Sequence, residues 1–190
     1  MNPLFSYKLS GRSVLHWLIL TNVVYAGLLL GTIPDVMRFS DGKALLDMRP
    51  LGYSPVEVRE LLTDLGNEGR NRYLYTQIPL DMVYPGLFAI SYCLLMVFLL
   101  RQFSSVHLGL WSLCYLPILA GLSDYAENFA IILMLNSFPD FSDYLAALSN
   151  VFSLAKSFFS TVYFTALILV ALLLGMQYLQ KKRSYSESKE

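Results

Sequence analysis

Four long apolar stretches constrain the fold of this chain more than any other feature of its sequence. They lie at residues 14–33, 80–100, 108–135 and 151–179, and about 20 mostly apolar residues are enough to cross the hydrocarbon core of a bilayer as a helix. No water is available there to bond open backbone N–H and C=O groups, so each span must be helical. The sequence therefore predicts an all-α membrane protein, a four-transmembrane-helix bundle that forms a single membrane domain over residues 1–190.

The composition supports a lipid environment and narrows the range of partners. Apolar residues make up 55% of the chain and charged residues only 15%, whereas a soluble domain carries about 25% charged residues. Lysine plus arginine and aspartate plus glutamate each number 14, so the chain lacks the positive charge that displaces the counterions of a nucleic acid. The lipid bilayer is the expected partner, and no nucleic acid is expected to bind.

The charges beside the spans predict the orientation of the bundle. A run of three basic residues at 181–183 follows the fourth span, whereas the loop before that span carries Asp140 and Asp143 and no base. The positive-inside rule places the tail of residues 180–190 in the cytoplasm. Four spans return the N-terminus, with Lys8, to the same side.

The segment between the first two spans, residues 34–79, is predicted to be a helical extracytoplasmic loop. Ser54 is suited to cap a helix that begins at Pro55 and carries Glu57 in its first turn. Apolar residues recur at helical spacing after this start, and Gly66 provides a stop. The pattern predicts an amphipathic helix that lies on the membrane surface or caps the bundle.

Three polar residues lie inside the third span, where lipid contact disfavours them. Glu127 and Asn128 follow Asp124 by three and four residues, which places all three on one face of a helix. A lone charge near the middle of the bilayer costs about 3 kcal/mol or more, so these side chains must face the bundle and find partners. Lys156 of the fourth span is the predicted ion-pair partner of Glu127 or Asp124.

The second span adds Asp81 and Tyr84 near its predicted outer end. A helical rise of about 1.5 Å per residue places Asp81 level with Lys156 at the outer boundary of the hydrocarbon, with Tyr84 one turn deeper. The polar groups would then descend from the outer surface towards the middle of the bilayer. Two interpretations stay open: an internal lock that fixes helix packing, or a functional pocket or proton path that opens outward.

The functional interpretation predicts a site that binds or processes a small amphiphile or lipid-soluble molecule, entered from the outer side under the Ser54–Gly66 helix. Asp124 and Glu127 are the candidate catalytic acid–base residues, because burial shifts carboxyl groups towards neutral titration. Arg70 and Arg72 are expected to contact a headgroup at the mouth. The candidate ligand-binding residues are Asn128, Lys156, Asp81, Tyr84, Arg70 and Arg72.

Two alternatives belong to other functional classes. In the first, the protein is a non-catalytic accessory or structural subunit whose outer loop docks a membrane protein partner, and the buried charges only lock the packing. In the second, it takes part in proton-coupled transport as a homo-oligomer, because four helices alone leave little room for a pathway. The sequence does not decide among these functions.

No metal site and no cofactor are predicted. Asp81, Asp124 and Glu127 lack the Glu-x-x-His pair that di-iron bundles use. His16 and His107 lie next to or near tryptophans at predicted interfaces, where amphipathic rings gather without binding haem. The chemistry expected of the chain is therefore that of its own side chains.

A series of spaced residues, from the first loop to the fourth span, carries a resemblance to a known family. The series is Gly52-Tyr53-Ser54 with Glu57, Leu65-Gly66, Gly69-Arg70, Tyr73, Asp81, Tyr84-Pro85, Asp124, Glu127-Asn128 and Lys156. Together these residues resemble an uncharacterised family of small bacterial four-helix integral membrane proteins. The resemblance implies the same architecture and a bacterial inner membrane, and it implies no activity.

Overall fold

A computed structural model of the chain describes residues 9–187, with side chains through residue 183. Within these residues the regular structure is entirely helical. Five helices are present: α1 Gly11–Ser40, α2 Pro55–Asp64, α3 Gly66–Leu100, α4 Leu108–Ser137 and α5 Asp143–Glu187. Lys8 and residues 188–190 of the predicted tail lie outside the described residues.

Four of the helices, α1, α3, α4 and α5, are long and apolar enough to cross a membrane. Their outward surfaces carry large apolar side chains such as Leu30, which is 84% exposed, and Ile168, which is 60% exposed. A helix that is apolar all round needs an apolar environment on every side, which a lipid bilayer provides. The predicted all-α bundle of four apolar helices is confirmed.

Two of the long helices extend beyond the predicted spans on the side of the first loop. α1 continues to Ser40 and α3 begins as early as Gly66, so the connection between them, apart from α2, is short. Each helix contains one π-helical turn, Leu28–Thr32 in α1 and Tyr73–Gln77 in α3. Hydropathy marks where lipid contact ends, whereas helical hydrogen bonding continues into the polar sequence beyond.

The helix predicted after Ser54 is present as α2, and its start has the expected capping. The Ser54 hydroxyl accepts from the Glu57 N–H at 3.3 Å, and the Glu57 carboxylate accepts from the Ser54 N–H at 2.7 Å. This reciprocal pair satisfies two backbone donors that a helix start leaves open. The hydrogen bond from the Ser54 backbone and, to a smaller extent, the one from its side chain hold the pKa of the Glu57 carboxyl below its usual value.

Residues 41–65, which include α2, form a cap over one end of the bundle. Val58, Leu61 and Leu62 of α2 are at most 1% exposed and belong to one apolar cluster with Tyr73 of α3 and Met134 of α4. Burying a large apolar side chain contributes about 1.5–3 kcal/mol. The cap is therefore a packed part of the protein, fixed on the ends of the long helices.

The long helices pack in chain order, α1 along α3, α3 along α4 and α4 along α5. Within residues 9–187, α1 and α5 make no extended contact with each other. α3 and α4 approach each other closely at Gly121, where an added Cβ atom would stand 2.8 Å from the backbone oxygen of Pro85. Only glycine permits this approach, which brings the polar residues of the two helices together.

Candidate functional site

A cavity of about 400 Å³ lies between the long helices, next to the cap. All four long helices contribute to its walls, and residues 47–50 of the cap close one end. The charged residues that line it are Asp47, Asp81, Asp124 and Lys156. The volume falls within the range of about 300–1,000 Å³ typical of sites for small molecules.

Lys156 of α5 lies at the centre of the charged groups. Its Nζ atom is 3.1 Å from Oδ1 of Asp124 and 2.5 Å from Oε2 of Glu127. It also donates to the backbone oxygen of Asp47 at 3.2 Å. The predicted ion pair is present and involves both acids of α4, so the ammonium group is held in one place by oxygens from α4 and from the cap.

Asp81 of α3 faces the same cavity, and within residues 9–183 it forms no ion pair. Its Oδ2 atom accepts from Nδ2 of Asn128 at 2.9 Å. Across the described part of the chain, no basic group lies within 4.0 Å of its carboxylate. Asp81 is only 6% exposed. The polar faces predicted for the second and third spans therefore do meet, through the Asp81–Asn128 bond.

Asp47 of the cap is a site residue that sequence reasoning missed. Its carboxylate accepts from the Tyr73 hydroxyl at 2.6 Å and from Nε2 of Gln77 at 3.3 Å. Both partners belong to the part of α3 that the sequence assigned to the loop. Asp47 is one of several acids in a mixed polar segment, so neither hydropathy nor helical spacing distinguished it.

Tyr53 is a second residue that sequence reasoning did not connect to the site. Its hydroxyl lies 2.7 Å from Oγ of Ser149 and donates to Oε1 of Glu127 at 3.3 Å. Its backbone N–H donates to Oδ1 of Asn150 at 2.8 Å. Burial is the main reason that the pKa of the Tyr53 phenol lies well above its usual value, and the neighbouring Glu127 carboxylate raises this pKa further. Tyr53 belongs to the resemblance pattern, but no signal in the sequence placed it beside Glu127.

Aromatic rings form another part of the cavity wall. Tyr25 of α1 stacks on Tyr84 of α3 with 5.0 Å between ring centroids, and Phe88 lies 5.8 Å from Tyr84 and 6.2 Å from Phe164 of α5. Of these four lining residues, the sequence singled out only Tyr84. An aromatic residue in an apolar span is as well suited to lipid as to a cavity, so the others gave no distinguishing signal.

The structure separates the predicted site residues into groups. Four of the eight line the cavity, namely Asp81, Tyr84, Asp124 and Lys156. Glu127 and Asn128 are in direct contact with that group but have no exposed surface and do not line the cavity. The Tyr53 hydroxyl donates to the Glu127 carboxylate and lies 2.7 Å from Oγ of Ser149. Glu127 is therefore part of the packed layer behind the wall.

Arg70 and Arg72 do not line the cavity, in contrast to their predicted position at its mouth. The Arg70 guanidinium donates to the backbone oxygen of Leu62 at 2.6 Å and stacks 4.1 Å from the centroid of the Phe138 ring. The Nε atom of Arg72 lies 3.7 Å from Oδ2 of Asp35. Both arginines stabilise contacts among the cap and helix ends, because the segment that carries them is helical rather than a loop.

The α2 helix does not line the cavity, so the entry predicted beneath it is not matched by the geometry. No residue from Ser54 to Gly66 contributes to the walls, and Arg59 of α2 donates to the backbone oxygen of Phe141 at 2.8 Å, which fixes α2 to the start of α5. The cavity instead borders the gap between α1 and α5. Its lining residues Tyr25 of α1 and Phe164 of α5 are each 38% exposed.

The groups around the cavity provide acid–base and ion-pairing chemistry. Among residues 9–183, no group of three or more His, Cys, Asp and Glu side chains is arranged to hold a metal ion. Asp124 borders the cavity, and a carboxyl group within reach of a bound molecule can transfer a proton. Carboxylates, one ammonium, hydroxyls and aromatic rings together suit a molecule with one polar and one apolar part.

No family model matches the chain, and it matches neither a curated protein nor a solved structure. The resemblance to the family of small bacterial four-helix membrane proteins therefore stays a prediction.

Proposed function

We propose that this integral membrane protein binds, or chemically processes, a small amphiphile in the cavity that borders α1 and α5. The observation that carries the proposal is the composition of the cavity, which joins a charged end near the cap to aromatic walls beside a gap between apolar helices. Sites for small molecules are mostly apolar with a few convergent polar groups. An amphiphile matches both parts, with its polar group near Asp124 and its apolar part along the rings.

In this proposal the charged residues have different roles. Asp124 is the candidate acid–base group, because its carboxyl borders the cavity and its position is set by Lys156 at 3.1 Å. Glu127 is a positioning residue that acts through Lys156, since it is shielded from the cavity. Asp81 provides a carboxylate that forms no ion pair within residues 9–183 and can therefore bind a cation.

The proposed location is a bacterial inner membrane with both termini in the cytoplasm. The basic residues 181–183 lie near the C-terminal end of α5, whereas Asp140 and Asp143 lie just before and at its start, which supports this orientation by the positive-inside rule. Labelling of intact cells with a membrane-impermeant maleimide tests it. Asp41→Cys in the cap should react and Gln102→Cys between α3 and α4 should not, and the reverse pattern would overturn the orientation.

The binding proposal is tested by native mass spectrometry of the protein purified in a mild detergent. Ser160 lines the cavity, so Ser160→Phe fills the space, whereas Val162→Phe adds the same ring to the exposed side of α5 and serves as the matched control. We expect a stoichiometric small molecule on the wild type and on Val162→Phe, and its loss from Ser160→Phe. Equal retention by both variants would contradict binding in this cavity.

A second candidate function, a non-catalytic accessory subunit, is favoured by one observation. Glu127 and Asn128 have no exposed surface, and their side chains contact Lys156, Tyr53 and Asp81, as expected of a packing lock. In that case a protein partner should copurify without a small molecule, and the exposed side of α2 would be the first surface to mutate.

A further inference from the structure

The charges around the cavity do not balance. Four carboxyl groups belong to the cluster, those of Asp47, Asp81, Asp124 and Glu127, against the single ammonium of Lys156. That ammonium contacts Asp124 and Glu127 directly. Within residues 9–183, neither Asp47 nor Asp81 has a basic side chain within 4.0 Å of its carboxylate.

Asp81 is the acid for which this imbalance matters most. It is only 6% exposed, its Oδ2 atom accepts from Nδ2 of Asn128, and it is one of the residues that line the cavity. A carboxylate removed from water needs a compensating charge or a proton, because desolvation of an unpaired ion costs several kcal/mol. A cationic group in the cavity beside Asp81 would supply that charge.

The aromatic wall is also suited to a cation. Tyr84 follows Asp81 by three residues on α3, and it stacks on Tyr25 at the border of the same cavity. The face of an aromatic ring attracts an ammonium group electrostatically, and the attraction grows when water is excluded. Carboxylates and ring faces together favour a cationic headgroup over an anionic one.

The open side of the cavity indicates where the rest of the ligand lies. Thr161 and Phe164 of α5 both line the cavity and are exposed, as is Tyr25 of α1. These residues lie within helices long and apolar enough to cross a membrane. A molecule whose headgroup reaches Asp81 can therefore leave its hydrocarbon chain in the gap between α1 and α5.

We propose that the cavity takes a membrane-partitioned amphiphile whose headgroup is a primary ammonium, paired with Asp81 and lying against the rings of Tyr25 and Tyr84. The inference deepens the proposed function and rests on it, because it names the chemical class of the bound molecule. Lys156 already pairs with Asp124, so the ammonium is expected at Asp81 rather than at Asp124.

Isothermal titration calorimetry of the wild-type protein in lipid nanodiscs tests the headgroup. The probes are decylamine, decanol and decanoate, which share one chain length, and each titration is corrected for partition into empty nanodiscs. We expect decylamine to bind about 10- to 100-fold more tightly than decanol, as for one hydrogen-bonded ion pair, and decanoate to bind more weakly than either. Lysophosphatidylethanolamine, which places the same ammonium beside a phosphate, distinguishes a lipid headgroup from a free amine as the source.

The contribution of Asp81 is tested with a matched pair of substitutions. Asp81→Asn removes the carboxylate from the cavity, and Asp140→Asn removes one from the exposed turn before α5. Decylamine affinity should fall about 10-fold or more in Asp81→Asn and stay unchanged in Asp140→Asn, while decanol affinity changes in neither. The comparison among probes on the wild type decides the headgroup even if Asp81→Asn does not fold.

The outcomes separate the two proposals. Preference for the amine, lost with Asp81→Asn, supports the ammonium inference. Equal binding of the amine, the alcohol and the acid overturns the inference while amphiphile binding stands. Failure of all three probes to bind overturns both the ammonium inference and the proposal that the cavity binds an amphiphile.

Discussion

The Nζ atom of Lys156 lies 2.5 Å from Oε2 of Glu127, a side chain with no exposed surface. This contact joins α5 to α4 beside the cap, and Asp124 shares the same ammonium at 3.1 Å. One cation thus forms ion pairs with two acids that lie on one face of α4. The arrangement makes the energetics of the three residues interdependent.

Lys156→Met should destabilise the protein severely. The substitution keeps the length of the side chain but leaves the Asp124 and Glu127 carboxyls without their cation. Breaking a buried ion pair by removing one partner costs about 3–5 kcal/mol. Denaturant unfolding in detergent, followed by circular dichroism, measures the loss, and a change below about 1 kcal/mol would contradict the central role of this ammonium.

Glu127→Gln should cost less than Lys156→Met, because Lys156 keeps Asp124 as its partner. Adding Glu127→Gln to Lys156→Met should then recover part of the lost stability, since one unpaired buried carboxyl is removed. A double-mutant cycle from the same unfolding measurements gives the coupling, about 0.5–3 kcal/mol for residues in contact. Simple additivity of the two losses would show that the residues do not act as a pair.

Tyr53→Phe should lower the free energy of unfolding by about 1–3 kcal/mol. The substitution leaves Oγ of Ser149 and Oε1 of Glu127 without the hydroxyl that lies 2.7 Å and 3.3 Å from them. Tyr144→Phe removes a hydroxyl from a residue that is 76% exposed and serves as the control. Equal stability of the two variants would show that the Tyr53 hydroxyl does not stabilise the buried hydrogen bonds.

Gly52→Ala and Gly42→Ala separate backbone strain from packing in the cap. Gly52 has φ +85° and Gly42 has φ +80°, so both substitutions carry a similar strain of about 1–2 kcal/mol. A Cβ atom on Gly52 would also collide with the side chain of Asn150, which binds the Tyr53 N–H, whereas nothing lies within 4 Å of one on Gly42. Thermal unfolding should show the larger loss for Gly52→Ala, and equal losses would mean that the contact with α5 is not required.

The start of α2 should weaken in acid. The hydrogen bonds from Ser54 hold the pKa of Glu57 below its usual 4.5 in the folded protein. The stabilisation from ionised Glu57 is therefore present above the unfolded-state pKa and is lost as the pH falls through the lower folded-state pKa. The amide proton shift of Ser54, followed by NMR, should titrate with a midpoint below 4.5. The shift in Glu57→Gln should not titrate, and a wild-type midpoint at or above 4.5 would contradict the capping pair.

Much of the architecture follows from the sequence because it depends on local properties. The apolar runs are long enough to require helices in lipid, and Ser54, Pro55 and Glu57 mark the start of α2 by short-range capping. The acids of the third span had to find partners inside the bundle, and helical spacing was sufficient to associate them with Lys156. The ends of α1 and α3 were less predictable, because hydropathy reports lipid contact rather than hydrogen bonding.

The composition of the cavity was decided by tertiary structure alone. Asp47 and Tyr53 reach the site from the cap and Tyr25 reaches it from α1, and none differs from its neighbours in hydropathy or helical spacing. Helix packing also places Glu127 behind the residues that line the cavity. The sequence by itself determined that helices must span an apolar medium and that charges within them must pair, since both follow from the cost of leaving polar groups unsatisfied in lipid. The packing of the cap against the helices determines which side chains line the cavity. These contacts join segments that are remote in sequence, so no local pattern predicts them.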